Sequence, residues 1–163
     1  MFENNVKGAA LRAALNVTTP HEGLGEAVHK TKCMLVAVYD YSVLGGAVGD
    51  IGLKDDAGND AILPKGAVVT SVIVAVLTTV TSGGAATVAF KALADGDLLA
   101  ATGKASLVST AGSQYTLGIP VMSDVSKFVG PVTADAGAQV KAQVAAAALT
   151  AGKIKVFIEY IIQ

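Results

Sequence analysis

The chain has no tryptophan, one cysteine and two histidines, and charged residues make up only 15% of its 163 positions. Each scarcity removes a class of function. A lone Cys33 forbids an internal disulfide framework and cannot supply a multi-cysteine zinc site, so it reads as a small buried hydrophobe at a strand start. With aromatics at 5%, a stacking platform for carbohydrate or single-stranded nucleic acid is poorly provided for. Basic residues number 12 and acidic residues 13, a formal charge of -1 that gives no electrostatic footprint for nucleic acid or an anionic membrane. No nucleic-acid and no membrane partner is expected.

Long apolar runs are also missing. The best membrane candidate, residues 67–80, falls short of the roughly 20 apolar residues a helical span needs and carries Thr70, Ser71, Thr78 and Thr79. Arg12 interrupts the apolar run 9–15, and Glu3 sits where a secretory leader carries positive charge, so cytoplasmic synthesis is expected.

Catalytic and ligand motifs fail on spacing. His21 and His29 are eight apart, which does not match the four-residue spacing of a zinc-protease helix, and they read as surface residues. Cys33 follows His29 by four, with no further soft ligand nearby. Asp55, Asp56, Asn59 and Asp60 lack the order and the closing glutamate of a calcium loop, and read as a solvated turn. Gly103-Lys104 and Gly152-Lys153 lack both the glycine five residues earlier and the following Ser or Thr of a phosphate loop. Gly23-x-Gly25 has no third glycine and no preceding strand, and no serine occupies a Gly-x-Ser-x-Gly elbow. No catalytic, cofactor-binding or metal-binding residue is assigned, no cofactor is expected, and the chain is expected not to be an enzyme.

What is present is strand. Residues 63–90 read as two long strands around a tight turn. Val68, Thr70, Val72, Val74, Val76, Thr78 and Val80 put a β-branched residue at every second position, with small or apolar residues between them. Both faces of this strand are expected to be covered. Ser82-Gly83-Gly84 then predicts a hairpin, with Ala86, Val88 and Phe90 on the return. A strand is predicted over 34–43, with Tyr39 and Tyr41 on one face, and another over 48–53. Turns are predicted at 55–59 and at Pro64-Lys65-Gly66. Brief strands fit 115–119 and 125–129 between glycines and prolines.

For 138–149, alternation of Val140, Ala142 and Val144 with Gln139, Lys141 and Gln143 favours strand. Alanine content, Asp135 as a cap and Gly152 as a stop leave helix open. In the last run, Ile154, Val156, Ile158, Tyr160 and Ile162 face one way, with Lys153, Lys155 and Glu159 on the other side. Residues 1–32 carry both histidines and no sustained alternation. They read as an N-terminal extended arm, with a short helix possible at 6–15, and if extended could reach about 100 Å. Residues 33–163 form the body. Roughly eight strands with glycine-rich turns predict an all-β fold, an antiparallel β-sandwich of jelly-roll type. Hydrophobic residues at 52% suggest a chain that hides surface by associating with itself or a larger partner.

Three segments carry a family resemblance: Leu63-Pro64-Lys65-Gly66-Ala67-Val68-Val69, Thr81-Ser82-Gly83-Gly84-Ala85-Ala86-Thr87-Val88, and Leu149-Thr150-Ala151-Gly152-Lys153 leading into the terminal strand. In this order, across about residues 45–163, the chain resembles the decoration, or cement, proteins that stud the heads of tailed bacteriophages. The resemblance implies a virion structural protein on the capsid outer surface, made in the host cytoplasm. It implies a homotrimer that binds the major capsid protein and stabilises the head by binding without turnover. A host-attachment or glycan-binding module of a virion, a tail or fibre component, is the alternative, with residues 95–118 carrying specificity.

Overall fold

The computed structural model describes residues 32–109 and 130–163. Nine strands appear among them: β1 (Cys33–Asp40), β2 (Gly49–Gly52), β3 (Ile62–Leu63), β4 (Ala67–Ser82), β5 (Thr87–Lys91), β6 (Leu99–Gly103), β7 (Ala138–Gln139), β8 (Lys141–Ala145) and β9 (Leu149–Ile162). A single helical turn, α1 (Tyr41–Leu44), follows β1, and a 3-10 turn spans Lys104–Ser106. The strands form a three-stranded sheet in the order β1-β9-β4, a four-stranded sheet in the order β2-β8-β5-β6, and the small pair β3-β7. Every described pairing is antiparallel.

The two larger sheets share one core. Ala37, Tyr39, Val74, Val76, Ile154, Val156 and Ile158 from the first belong to the same buried cluster as Val88, Phe90, Ala142 and Val144 from the second. Period-two patterning explains the layering, because one register of each strand turns inward, and the other is exposed in part, with Ala75 of β4 and Ala89 of β5 buried there as well. In β9 the fully buried Ile154, Val156 and Ile158 alternate with partly exposed Lys153, Lys155 and Glu159. Burying each large side chain contributes about 1.5–3 kcal/mol, so this alternation fixes the register. The fold is thus all-β with antiparallel sheets, as the alternation predicts. These strand orders do not establish the jelly-roll wiring.

Four local expectations are settled by particular residues. Residues 138–139 and 141–145 are strand and not helix, broken at Val140 where the chain passes from the β3 pair to the four-stranded sheet, and the second strand ends at Ala145, before Ala146 takes a left-handed φ of 68°. The first strand stops at Asp40 instead of continuing to Val43. The Asp40 carboxylate accepts hydrogen bonds from the Ser42 amide at 3.0 Å and the Ser42 hydroxyl at 2.6 Å, which caps α1 and ends the strand. β4 does not keep one register. Val69 faces Tyr160 and Ser71 faces Glu159, so Thr70 is an inserted residue that moves the inward side chains from Ala67 and Val69 to Val72, Val74 and Val76. Coverage of the other face is incomplete, with Ala75 buried but Ile73 exposed.

The fourth is a correction. Ser82-Gly83-Gly84 does not close a hairpin, because β4 pairs with β9 and β5 pairs with β6 and β8 in the other sheet. The chain crosses between the layers here. Two-residue hairpin turns need left-handed backbone, and neither glycine adopts it. Gly84 is required for a different reason: a Cβ added there would lie 2.9 Å from the Cβ of Ala147, in the β8–β9 connection that makes the reverse crossing.

The predicted turns at 55–59 and at Pro64-Lys65-Gly66 are formed. Asp55 Oδ1 accepts from the amides of Ala57 and Asn59 at 2.9 and 2.8 Å, and the Ala67 amide donates to the Pro64 carbonyl at 3.1 Å. The expected arm, apart from Lys32, and the strands expected at 115–119 and 125–129 lie outside the described residues, as do His21 and His29.

Candidate functional site

The outer face of the three-stranded sheet is built by pairing register. Val36, Phe157 and Ile73 stand side by side across β1, β9 and β4 and form an apolar row. One row on, Val38, Lys155 and Ala75 are aligned, and on the other side Met34, Glu159 and Ser71. Ile73, at the β4 end of the apolar row, is 38% exposed, and Met34 in the neighbouring row is 62% exposed.

The charges on this face are neutralised locally. Lys153 meets Asp40 at 2.8 Å, Lys155 meets Asp56 at 2.6 Å, and Glu159 meets Lys32 at 3.5 Å. A groove of about 280 Å³ lies at this end of the sheet, lined among others by Val38, Asp40, Lys54, Asp56, Lys153 and Lys155. The hydrogen bond from Lys153, reinforced by Ser42, holds the Asp40 carboxyl down to about 2. Asp40 is therefore ionised across the physiological range. Lys54 reaches Asp60 at 2.7 Å within the same surface.

On the four-stranded sheet, Lys91 sits between Asp50 and Asp95, each at 2.7 Å. Hydrogen bonds that its ammonium donates first to Asp50 and then to Asp95 raise its pKa. Asp97, the buried acid of the described core, accepts from the amides of Ala92, Leu93 and Ala94 at 2.8, 2.9 and 2.9 Å. Its oxygens are spent on closing the β5–β6 connection. Cys33 is half-buried at the head of β1, beside Tyr160, whose hydroxyl pKa is raised by burial first and then by Cys33.

Asp55, Asp56, Asn59 and Asp60 do not converge on one point. Asp55 binds its own turn, Asp56 binds Lys155 and Asp60 binds Lys54. Among the described residues no three His, Cys, Asp or Glu side chains gather into a group that could hold a metal, and no helix is long and apolar enough to cross a membrane.

No protein-family model matches this chain, and no curated protein sequence matches it. Among solved structures, it aligns with a chain of the "Cyanophage Pam1 capsid asymmetric unit" at a TM-score of 0.50 and 17% identity, covering 93% of this chain and 96% of that one. The fold resembles that of a chain in a cyanophage capsid. At this identity the likeness concerns the fold alone, and its coverage shows that it extends well beyond a single sheet.

The pairings that build the outer face were hidden from one-dimensional reading. Asp40 and Lys153 are 113 positions apart, and only the β1–β9 register opposes them. Alternation reveals that Lys153, Lys155 and Glu159 face outward, but not what they meet.

Proposed function

We propose that this chain is a virion structural protein that binds the outer surface of a phage capsid and stabilises the head as a cement or decoration protein, without turnover. The observation that carries the reading is the fold likeness to a capsid chain over nearly the full length of both chains. Two features support it. The outer face of the β1-β9-β4 sheet offers apolar side chains between neutralised charges, which suits protein contact better than an anionic polymer. The apolar composition fits a chain that associates with copies of itself, here as a homotrimer, and with the major capsid protein.

In this reading residues 33–163 form the body and residues 1–32 an arm that adds contact area across subunit boundaries. Ordering such an arm costs entropy that many contacts must offset. Repetition of modest sites over a symmetric shell then raises avidity.

The test is to mix the purified protein with expanded phage heads lacking it. Saturable binding and a gain in thermal or mechanical resistance of the heads are expected. No binding, or binding to host surface polysaccharide instead, overturns the proposal, and the second result favours an attachment module. Deleting residues 1–32 should abolish attachment while leaving a folded body.

A further inference from the structure

β1 is an edge strand, and its outward side is treated unequally along its length. At Val38 it is closed, since the Val38 amide donates to the Lys54 carbonyl at 2.6 Å and the Lys54 amide donates to the Val38 carbonyl at 3.2 Å. Antiparallel alternation turns the N–H and C=O of Met34 and Val36 to the same side as those of Val38, away from β9. Among the described residues no backbone bond reaches Met34 or Val36 from that side.

The segment that closes Val38 is residues 54–60. Its two ends are fixed by the fully buried Leu53 and Ala61, which are tied through the Leu53 amide to Val140 at 2.9 Å and the Ala61 amide to Leu53 at 3.0 Å. Internally it is stiff, because Asp55 organises its turn and Lys54 pairs with Asp60. Among the described residues it has two outward ties. One is the backbone bridge to Val38; the other is the Asp56–Lys155 ion pair at 2.6 Å, which reaches past β1 to the central strand β9. The remaining charges nearby, Asp40 and Lys153, are engaged with each other.

We propose that residues 54–60 are a strap over the β1 edge, held down by the Asp56–Lys155 pair and released when that pair is broken or screened. Release bares the Val38 backbone groups, next to Met34 and Val36, whose outward groups have no backbone partner among the described residues. An edge of that kind is a template for pairing with another strand, so the strap controls how much of β1 is open to a partner. The inference stands on local geometry and does not depend on the virion reading.

Amide hydrogen exchange on the full chain tests it. In D56N and in K155Q the Val38 amide should exchange about two- to five-fold faster, the range expected for loss of a partly exposed ion pair. The amides of Ala37 and Tyr39, which point to β9, should be unchanged. Raising salt to about 1 M should reproduce the effect in the unaltered protein and add little in D56N. Unchanged exchange at Val38 in both variants overturns the strap. So does an equal rise at Ala37, Val38 and Tyr39, which would mean that the whole strand had loosened.

Discussion

The hydroxyl of Tyr39, whose side chain is fully buried, donates to the carbonyl of Gly45 at 2.7 Å, tying the end of β1 to the residue that follows α1. The bond holds the β1–α1 corner against the core. Burial first, then the neighbouring Tyr41 and Asp40, push this hydroxyl up from 10.0 to about 12. Because the raised group is an acid, the folded state keeps a proton that the unfolded state gives up. Its contribution is complete below about pH 10 and is lost as pH rises toward about 12. Tyr39→Phe should cost about 1 kcal/mol at neutral pH and should flatten the alkaline loss of stability. Urea denaturation of both proteins at several pH values above 8 checks the two effects together.

Asp40 gives the opposite sign. Lys153 and Ser42 hold its carboxyl below the usual range, so its contribution is present above about pH 4 and is lost as pH falls toward about 2. Asp40→Asn should remove that acid sensitivity, with an effect under about 1 kcal/mol because the pair is partly exposed. Thermal melts between about pH 2 and 5 should show the two proteins converging at the acid end.

Asp97 is the costlier carboxylate to lose. Three amides of the β5–β6 connection depend on it in a buried setting. Asp97→Ala should cost about 3 kcal/mol, whereas Asp55→Ala, at an exposed turn, should cost distinctly less. A comparison of denaturation midpoints at neutral pH separates the two, and equal losses would contradict the assignment.

The crossing at Gly84 has its own test. Gly84→Ala places a Cβ against Ala147 and should cost about 1–3 kcal/mol, and Ala147→Gly in the same chain should recover part of the loss. If the segment were a hairpin tip in solvent, the first substitution would be tolerated and the second would have nothing to recover.

These residues mark where sequence stopped predicting structure. β9 and the middle of β4 were legible because burial on one face enforces alternation at Val72, Val74 and Val76 and again at Ile154, Val156 and Ile158. The bulge at Thr70 was not, since a threonine fits an alternating strand as well as an inserted position. Two glycines between strands fit a hairpin and an interlayer crossing equally, and only the pairing tells them apart: β4 joins β9 while β5 joins β6 and β8 in the other sheet. The outer face depended entirely on register, because Asp40, Asp56 and Lys32 find their partners on a strand more than 90 positions later in the chain.

The central claim, attachment to the outside of a phage head, is tested most directly by imaging expanded heads before and after addition of the purified protein. The expected result is new density in three-fold clusters on the outer capsid surface, absent from heads left untreated. Unchanged capsids at saturating protein, or new density confined to the tail, would contradict it.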